Sequence, residues 1–132
     1  MKLKILSFLP ALGWLIFTII LLVMPGSDLP EEPFFEIIYF DKWVHIGMFG
    51  ILTFLWCLPL LKSKNGSAKL FLLIALCSII YGVLMEFVQK YLAFERDFDL
   101  LDIIADSVGS ILALIWLFYF LRRRQSVKNK PL

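Results

Sequence analysis

Three groups of ionisable or amide side chains stand at the ends of apolar stretches, where a chain in search of a dry core would not put them. Asp41, Lys42 and His45 open one stretch, Glu86 and Gln89 close another, and Asp99, Asp102 and Asp106 open a third. Asp41 and His45 are four apart, Glu86 and Gln89 three apart, and Asp99, Asp102 and Asp106 three and four apart, so each of these sets shares one face of a helix. His45 is the natural proton-transfer group, because imidazole titrates near neutral pH. Asp41, one turn away, is placed to orient it, and Glu86 is a second candidate acid or base. Lys42, Gln89, Asp102 and Asp106 are candidate binding groups. Arg96 joins them from the segment before the third stretch, since a guanidinium grips a carboxylate or phosphate with two parallel bonds.

These groups are poor in positive charge. Asp41, Glu86, Asp102 and Asp106 face His45, with Arg96 approaching from the loop and Lys42 at the rim. Like charges and desolvation both oppose four ionised carboxylates. Either one of them, Glu86 or Asp106, holds a proton, or a cation sits among them. No recognised ligand spacing is present, so the proton is the favoured resolution and neither metal nor cofactor is expected.

The elements that must position these residues follow from hydropathy. Hydrophobic residues make up 61% of the 132 and charged residues 18%, and the mean hydropathy is +0.86. A chain this short cannot bury that much apolar surface within itself. The composition disfavours a soluble enzyme, a disordered chain, which needs few apolar residues, and a nucleic-acid module, which needs a dense basic face. The apolar residues fall into four blocks, about 5–24, 43–61, 70–91 and 100–121, each near the 20 or so residues that cross a bilayer. Pro25-Gly26-Ser27 ends the first, a tight turn from Lys62 to Lys69 separates the second and third, and Lys90 to Asp99 separates the last two. A signal peptide is the alternative for block one, but its apolar run is too long and lacks a cleavage-like site.

Charge placement orients the four spans. Lys2, Lys4, Lys62, Lys64, Lys69, Arg122, Arg123, Arg124, Lys128 and Lys130 share one side, and the acidic residues lie on the other or in the adjoining half of a span. Basic residues collect on the cytoplasmic side, so both termini are expected there. Arg122-Arg123-Arg124, at the start of the basic tail 122–132, then serve as a topology anchor, with specific lipid binding as the alternative. The segment Glu31 to Phe40 is too apolar for a free loop and too short to span. It reads as a short helix in the outer interface, or an extended segment over the bundle mouth. Cys57 and Cys77 read as apolar packing residues.

Depth and small residues complete the picture. At 1.5 Å per residue, His45, Glu86 and Asp106 lie about 6, 7 and 9 Å inside their helix ends, so three helices place polar groups at one level. Ser78, Gly82 and Glu86, and likewise Ala105, Gly109 and Ala113, recur at four-residue steps, which lets helices approach closely in lipid. The polar faces therefore turn inward, forming a polar pocket open to the outside above a dry inner half. A through-channel is disfavoured because the inner half carries no comparable polar residues.

Asp41-Lys42-x-x-His45 resembles the first motif of the VanZ-like family of small bacterial membrane proteins, and Glu86-x-x-Gln89, Arg96, Asp102 and Gly109 resemble the second. The resemblance covers roughly residues 41–114. It implies a small helical membrane bundle with Asp41, Lys42, His45, Glu86, Gln89, Arg96 and Asp102 as motif residues. The family's namesake is an accessory protein of teicoplanin resistance, and the resemblance brings no settled activity. One departure is Asp106, where the family commonly has Asn. The resulting expectation is an all-α, four-transmembrane-helix bundle in the cytoplasmic membrane, a single domain over 1–132 with both ends inside. Its outward pocket would bind a membrane lipid head group or cell-envelope component, with catalysis open. The competing classes are a non-enzymatic scaffold or partner protein, in which the polar residues are structural, and ion or proton movement. Nucleic acid is not an expected partner, and oligomerisation is left open.

Overall fold

The computed structural model describes residues 5–25, 39–62, 67–93 and 96–128. Among the described residues there is no strand. A 3-10 turn, Ile5–Phe8, leads into α1 (Leu9–Val23), followed by α2 (Phe40–Lys62), α3 (Ala68–Leu92) and α4 (Leu100–Lys128). Each start and stop has a local cause. Pro10 lies in the first turn of α1, where its missing N–H costs nothing. The α1 helix ends ahead of Pro25, with Met24 already extended at ψ 137°, because a residue before proline avoids the helical region. Ser67 caps α3 by accepting from the Leu70 N–H at 3.3 Å. Asp99 caps α4 in the same way, its Oδ1 accepting from the Leu101 N–H at 2.8 Å. Such caps satisfy backbone donors that the helix itself leaves free.

Among the described residues, four helices are long and apolar enough to cross a membrane: the stretches Ile5–Val23, Phe40–Leu61, Ala68–Leu92 and Leu100–Arg123, of 19, 22, 25 and 24 residues. At 1.5 Å per residue they reach about 28 to 38 Å, against a hydrocarbon thickness of about 30 Å. Their outward faces carry large apolar side chains, among them Ile16, Ile20, Leu73, Leu84, Ile111 and Ile115.

The element bounds depart from the sequence expectation in two places that matter. The second helix begins at Phe40 rather than Trp43, so Asp41 and Lys42 stand in its first turn. Tyr39, at φ 50°, sets the sharp entry, and its carbonyl accepts from the Lys42 and Trp43 amides at 3.0 and 3.4 Å. The fourth helix runs on to Lys128, so the start of the expected basic tail is helical. The expected interfacial segment lies outside the described residues except for Tyr39 and Phe40, as does most of the turn between α2 and α3.

The closest helix contact joins α2 and α4. A Cβ placed on Gly109 would lie 2.2 Å from the Ile46 carbonyl oxygen, and one on Gly50 would lie 3.3 Å from the Gly109 carbonyl oxygen. Backbone therefore rests on backbone, which only glycine allows. The α3 helix meets α4 at Gly82, where an added Cβ would come within 2.5 Å of Asp106 Oδ2. The α1 helix is fastened by polar contacts. Trp14 Nε1 donates to the Met48 carbonyl at 3.0 Å, and the Thr18 and Tyr81 hydroxyls share a hydrogen bond at 3.0 Å. Beneath the polar groups, Cys57, Leu60, Leu61, Phe71, Leu114 and Leu117 form an apolar cluster. Cys57 thus packs as expected. Cys77 does not: it is exposed on the outer surface, because its position on α3 turns away from the other helices.

The glycine contacts give a test. Gly109→Ala must push the Ile46 backbone aside and should destabilise the protein in detergent by about 1–3 kcal/mol, the usual cost of overpacking. Gly47, whose Cβ position meets nothing within 4 Å, should accept alanine without loss. Thermal melts of the two variants check the contrast.

Candidate functional site

The α2–α4 contact sets the geometry of the charged residues. With the helix backbones touching at Gly109, side chains one to two turns nearer the Asp41 end of α2 and the Asp99 end of α4 face one another at bonding distance. Lys42 reaches from α2 into this space. Its ammonium donates to Asp99 Oδ2 and, at 2.6 Å, to Asp102 Oδ1, and it pairs with Asp41 Oδ2 at 2.8 Å. One turn deeper, His45 Nδ1 meets Asp106 Oδ1 at 2.8 Å, and His45 Nε2 lies 3.8 Å from Asp102 Oδ2. The α3 helix supplies Glu86, whose Oε2 accepts from the Asp99 backbone N–H at 2.9 Å.

The site therefore joins three helices and the segment ahead of α4. Among the described residues it is most open at one end. Side-chain exposure rises from 3% at Asp106 through 10% at Asp102 and 15% at Lys42 to 41% at Asp99 and 59% at Asp41. Glu86 is buried completely. The floor is aromatic: the His45 ring lies parallel to Phe49 with centroids 6.5 Å apart, and Phe49 packs on Tyr81.

Two expectations about individual residues need correction. Asp41 does not orient His45. It pairs with Lys42 at the open end, and Asp106 of α4 holds the imidazole instead. Residues four apart share a helix face but point outward side by side, so a facing helix offers the better bond. Lys42 is no rim residue either. Its long stem carries the charge inward, and its ammonium is bonded to three carboxylates.

Gln89 stands apart from this cluster. It is buried, and its Nε2 donates to the Leu22 carbonyl at 3.0 Å. Leu22 lies in the last turn of α1, whose carbonyls have no partner within the helix, so Gln89 fastens α1 to α3. Arg96 precedes the first turn of α4, and its buried Nε has no hydrogen-bond partner among the described residues.

Two triads of side chains have the donors to hold a metal ion. One is His45, Glu86 and Asp102, all buried; the other is Asp41, Asp99 and Asp102, which is partly exposed. In each, one donor atom per residue lies within 4.8 Å of the others.

Just ahead of α4, the Lys42 ammonium bonded to Asp99 holds that carboxyl below the ordinary aspartate value. A folded value below the unfolded one means that the charged form stabilises the fold. That contribution is complete above the unfolded value, about 3.9, and is lost as pH falls through the lower folded value. Asp99→Asn keeps the helix cap and removes the charge. It should lower the melting temperature at pH 7, with the gap to the wild type closing below about pH 4. Melts across pH for both proteins check this.

The chain is 33% identical over 112 residues to an uncharacterised protein of Schizosaccharomyces pombe, an alignment covering 83% of this chain and 66% of that protein. The chain thus spans slightly under two thirds of that relative's length. No protein-family model matches the chain, and no solved structure matches it.

Proposed function

We propose that this chain is a four-span VanZ-like membrane protein, with both chain ends on the cytoplasmic side, whose polar site binds a lipid head group or a cell-envelope component at the outer face. The observation that carries the reading is the convergence of Lys42, His45, Glu86, Asp102 and Asp106 into one buried cluster whose most exposed members, among the described residues, are Asp41 and Asp99. Burying so many charges is expensive in a membrane, and intramembrane charge clusters mark ligand and ion sites. Arg96, whose Nε has no partner among the described residues, is a cation available to an incoming anionic group, whereas Lys42 is already bonded to three carboxylates. The partly exposed Asp41 and Asp99 suit an ammonium or hydroxyl on the same head group. The His45–Asp106 pair supplies a proton-transfer group should the bound component be turned over.

A second reading has one observation in its favour. Each charged side chain of the cluster is already bonded to another of its members or to backbone, as glue between helices would be. On that reading the chain is a scaffold or partner protein, and the cluster holds α2, α3 and α4 in register.

Topology is tested with single cysteines at Ser27, Ser67, Glu95 and Ser126 in a background without Cys57 and Cys77. An impermeant thiol reagent should label positions 27 and 95 in intact cells; labelling at 67 or 126 would overturn the orientation. Head-group binding is tested by native mass spectrometry of the purified protein with phosphatidylglycerol and phosphatidylethanolamine. Arg96→Gln should cut retention of phospholipid about tenfold, the loss of one charge-assisted bond pair, at unchanged melting temperature. Equal retention by the variant and the wild type would favour the scaffold.

A further inference from the structure

The arrangement around His45 has the form of a built metal site. His45 is 95% buried, and its two nitrogens are treated differently. Nδ1 is bonded to Asp106 Oδ1 at 2.8 Å. With Asp106 ionised and the imidazole neutral, Nδ1 carries the hydrogen and Nε2 presents its lone pair. No hydrogen bond reaches Nε2 among the described residues; its nearest carboxylate oxygen, Asp102 Oδ2, is 3.8 Å away. Asp102 is likewise split: Oδ1 is taken by Lys42 at 2.6 Å, and Oδ2 is turned toward the imidazole. Glu86, from α3, brings an oxygen to the same place, so that one donor atom from each of the three buried residues falls within 4.8 Å of the other two. A carboxylate on Nδ1 that fixes the tautomer and aims Nε2 is the usual outer support of a metal-bound histidine.

We infer that His45 Nε2, Asp102 Oδ2 and a carboxylate oxygen of Glu86 bind one divalent first-row transition ion, Zn2+ or Mn2+, with Asp106 as the positioning residue. Ligand bonds of about 2.0–2.2 Å put tetrahedral donors about 3.4 Å apart. The 3.8 Å separation of Nε2 and Asp102 Oδ2 then closes by about 0.4 Å, and no separation need close by more than about 1.4 Å. One imidazole and two carboxylates suit such an ion better than Mg2+ or Ca2+, which prefer oxygen alone. Charge argues the same way. Five carboxylates, those of Asp41, Glu86, Asp99, Asp102 and Asp106, gather around a single bonded ammonium, and a dication offsets two of the excess negative charges where a low dielectric makes them costly. The three protein donors leave a fourth position for water. This site goes beyond head-group binding and does not require it: the ligands are the protein's own, and Arg96 takes no part.

The test uses the full chain purified in detergent, without added lipid. Metal content is measured by elemental analysis. Melting temperature and calorimetric binding are then followed after EDTA treatment with Zn2+, Mn2+, Mg2+ or Ca2+ added singly. One ion should bind at about one equivalent, and Zn2+ or Mn2+ should raise the melting temperature where Mg2+ and Ca2+ do not. Co2+ in the same site should give visible absorption bands that His45→Gln abolishes. Asp106→Asn should weaken binding about 10- to 100-fold, as loss of an outer-shell partner does. Asp97→Asn, an exposed acidic residue at the same end, should leave binding unchanged, and Arg96→Gln should bind metal normally even if it loses phospholipid. A folded protein that carries no metal, and whose melting temperature responds to neither EDTA nor any of the four ions, would overturn the inference in favour of a shared proton. So would a His45→Gln variant that binds as tightly as the wild type.

Discussion

One ammonium group organises the polar end of this bundle. Lys42 lies in the first turn of α2 and bonds to carboxylates on its own helix, on the cap of α4 and in the first turn of α4. A charge in so apolar a chain is tolerable only if it is paired and hydrogen-bonded, because the energy of stranding it exceeds that of most packing contacts. The requirement works in both directions. Asp99 and Asp102 need Lys42 as much as Lys42 needs them, so the start of α4 is bound to the start of α2. Asp99 then passes the constraint to α3 through its backbone amide, which donates to Glu86. Three helix ends are thereby tied by groups that could not be buried separately.

The cluster in turn depends on glycine. Asp102 and Asp106 reach α2 because α4 lies against it backbone to backbone at Gly109, and Asp106 fits beneath α3 because Gly82 has no side chain. Lipid tails are as apolar as leucine, so helices long and apolar enough to cross a bilayer, as these four are, would gain little there from hiding apolar faces from one another. Close approach and interhelical polar bonds must supply the association. The two devices alternate here: polar bonds at the open end, glycine contacts one to two turns below, and an apolar cluster around Phe71 and Leu117 beyond. The α1 helix, held by Trp14, Thr18 and Gln89, is attached at its side and its end by single hydrogen bonds.

The helices and their inward faces were legible because both depend on local periods. Blocks of apolar residues mark the four helices, and three- and four-residue steps put Ser78, Gly82 and Glu86 on one face and Asp102, Ala105, Asp106 and Gly109 on another. Depth arithmetic placed His45, Glu86 and Asp106 at one level. What a linear reading cannot supply is partner choice across helices. His45 could be matched to Asp41 by spacing, but the facing carboxylate of Asp106 is brought closer by a contact that lies at Gly109. Lys42 was misjudged because a four-carbon stem can carry its charge to the rim or to the interior, and the partners decide which. Gln89 looked like part of the site because it shares a face with Glu86, yet its amide meets a carbonyl at the end of α1, a position set by tertiary packing alone. The helix boundary at Phe40 depended on the left-handed turn at Tyr39, for which the residue type gives no signal.

If the ion cluster around Lys42 is the constraint that fixes the bundle, its members should matter as a unit rather than singly. The direct measurement is the melting temperature of Lys42→Met beside that of the triple variant Lys42→Met, Asp99→Asn, Asp102→Asn, both with chelator present. Removing Lys42 alone leaves its partner carboxylates unpaired, whereas the triple variant removes charge from both sides. The account predicts a large loss for the single variant and recovery of at least about half of it in the triple, by the non-additivity of residues that share one network. A triple variant as unstable as the single one, or less stable, would contradict it.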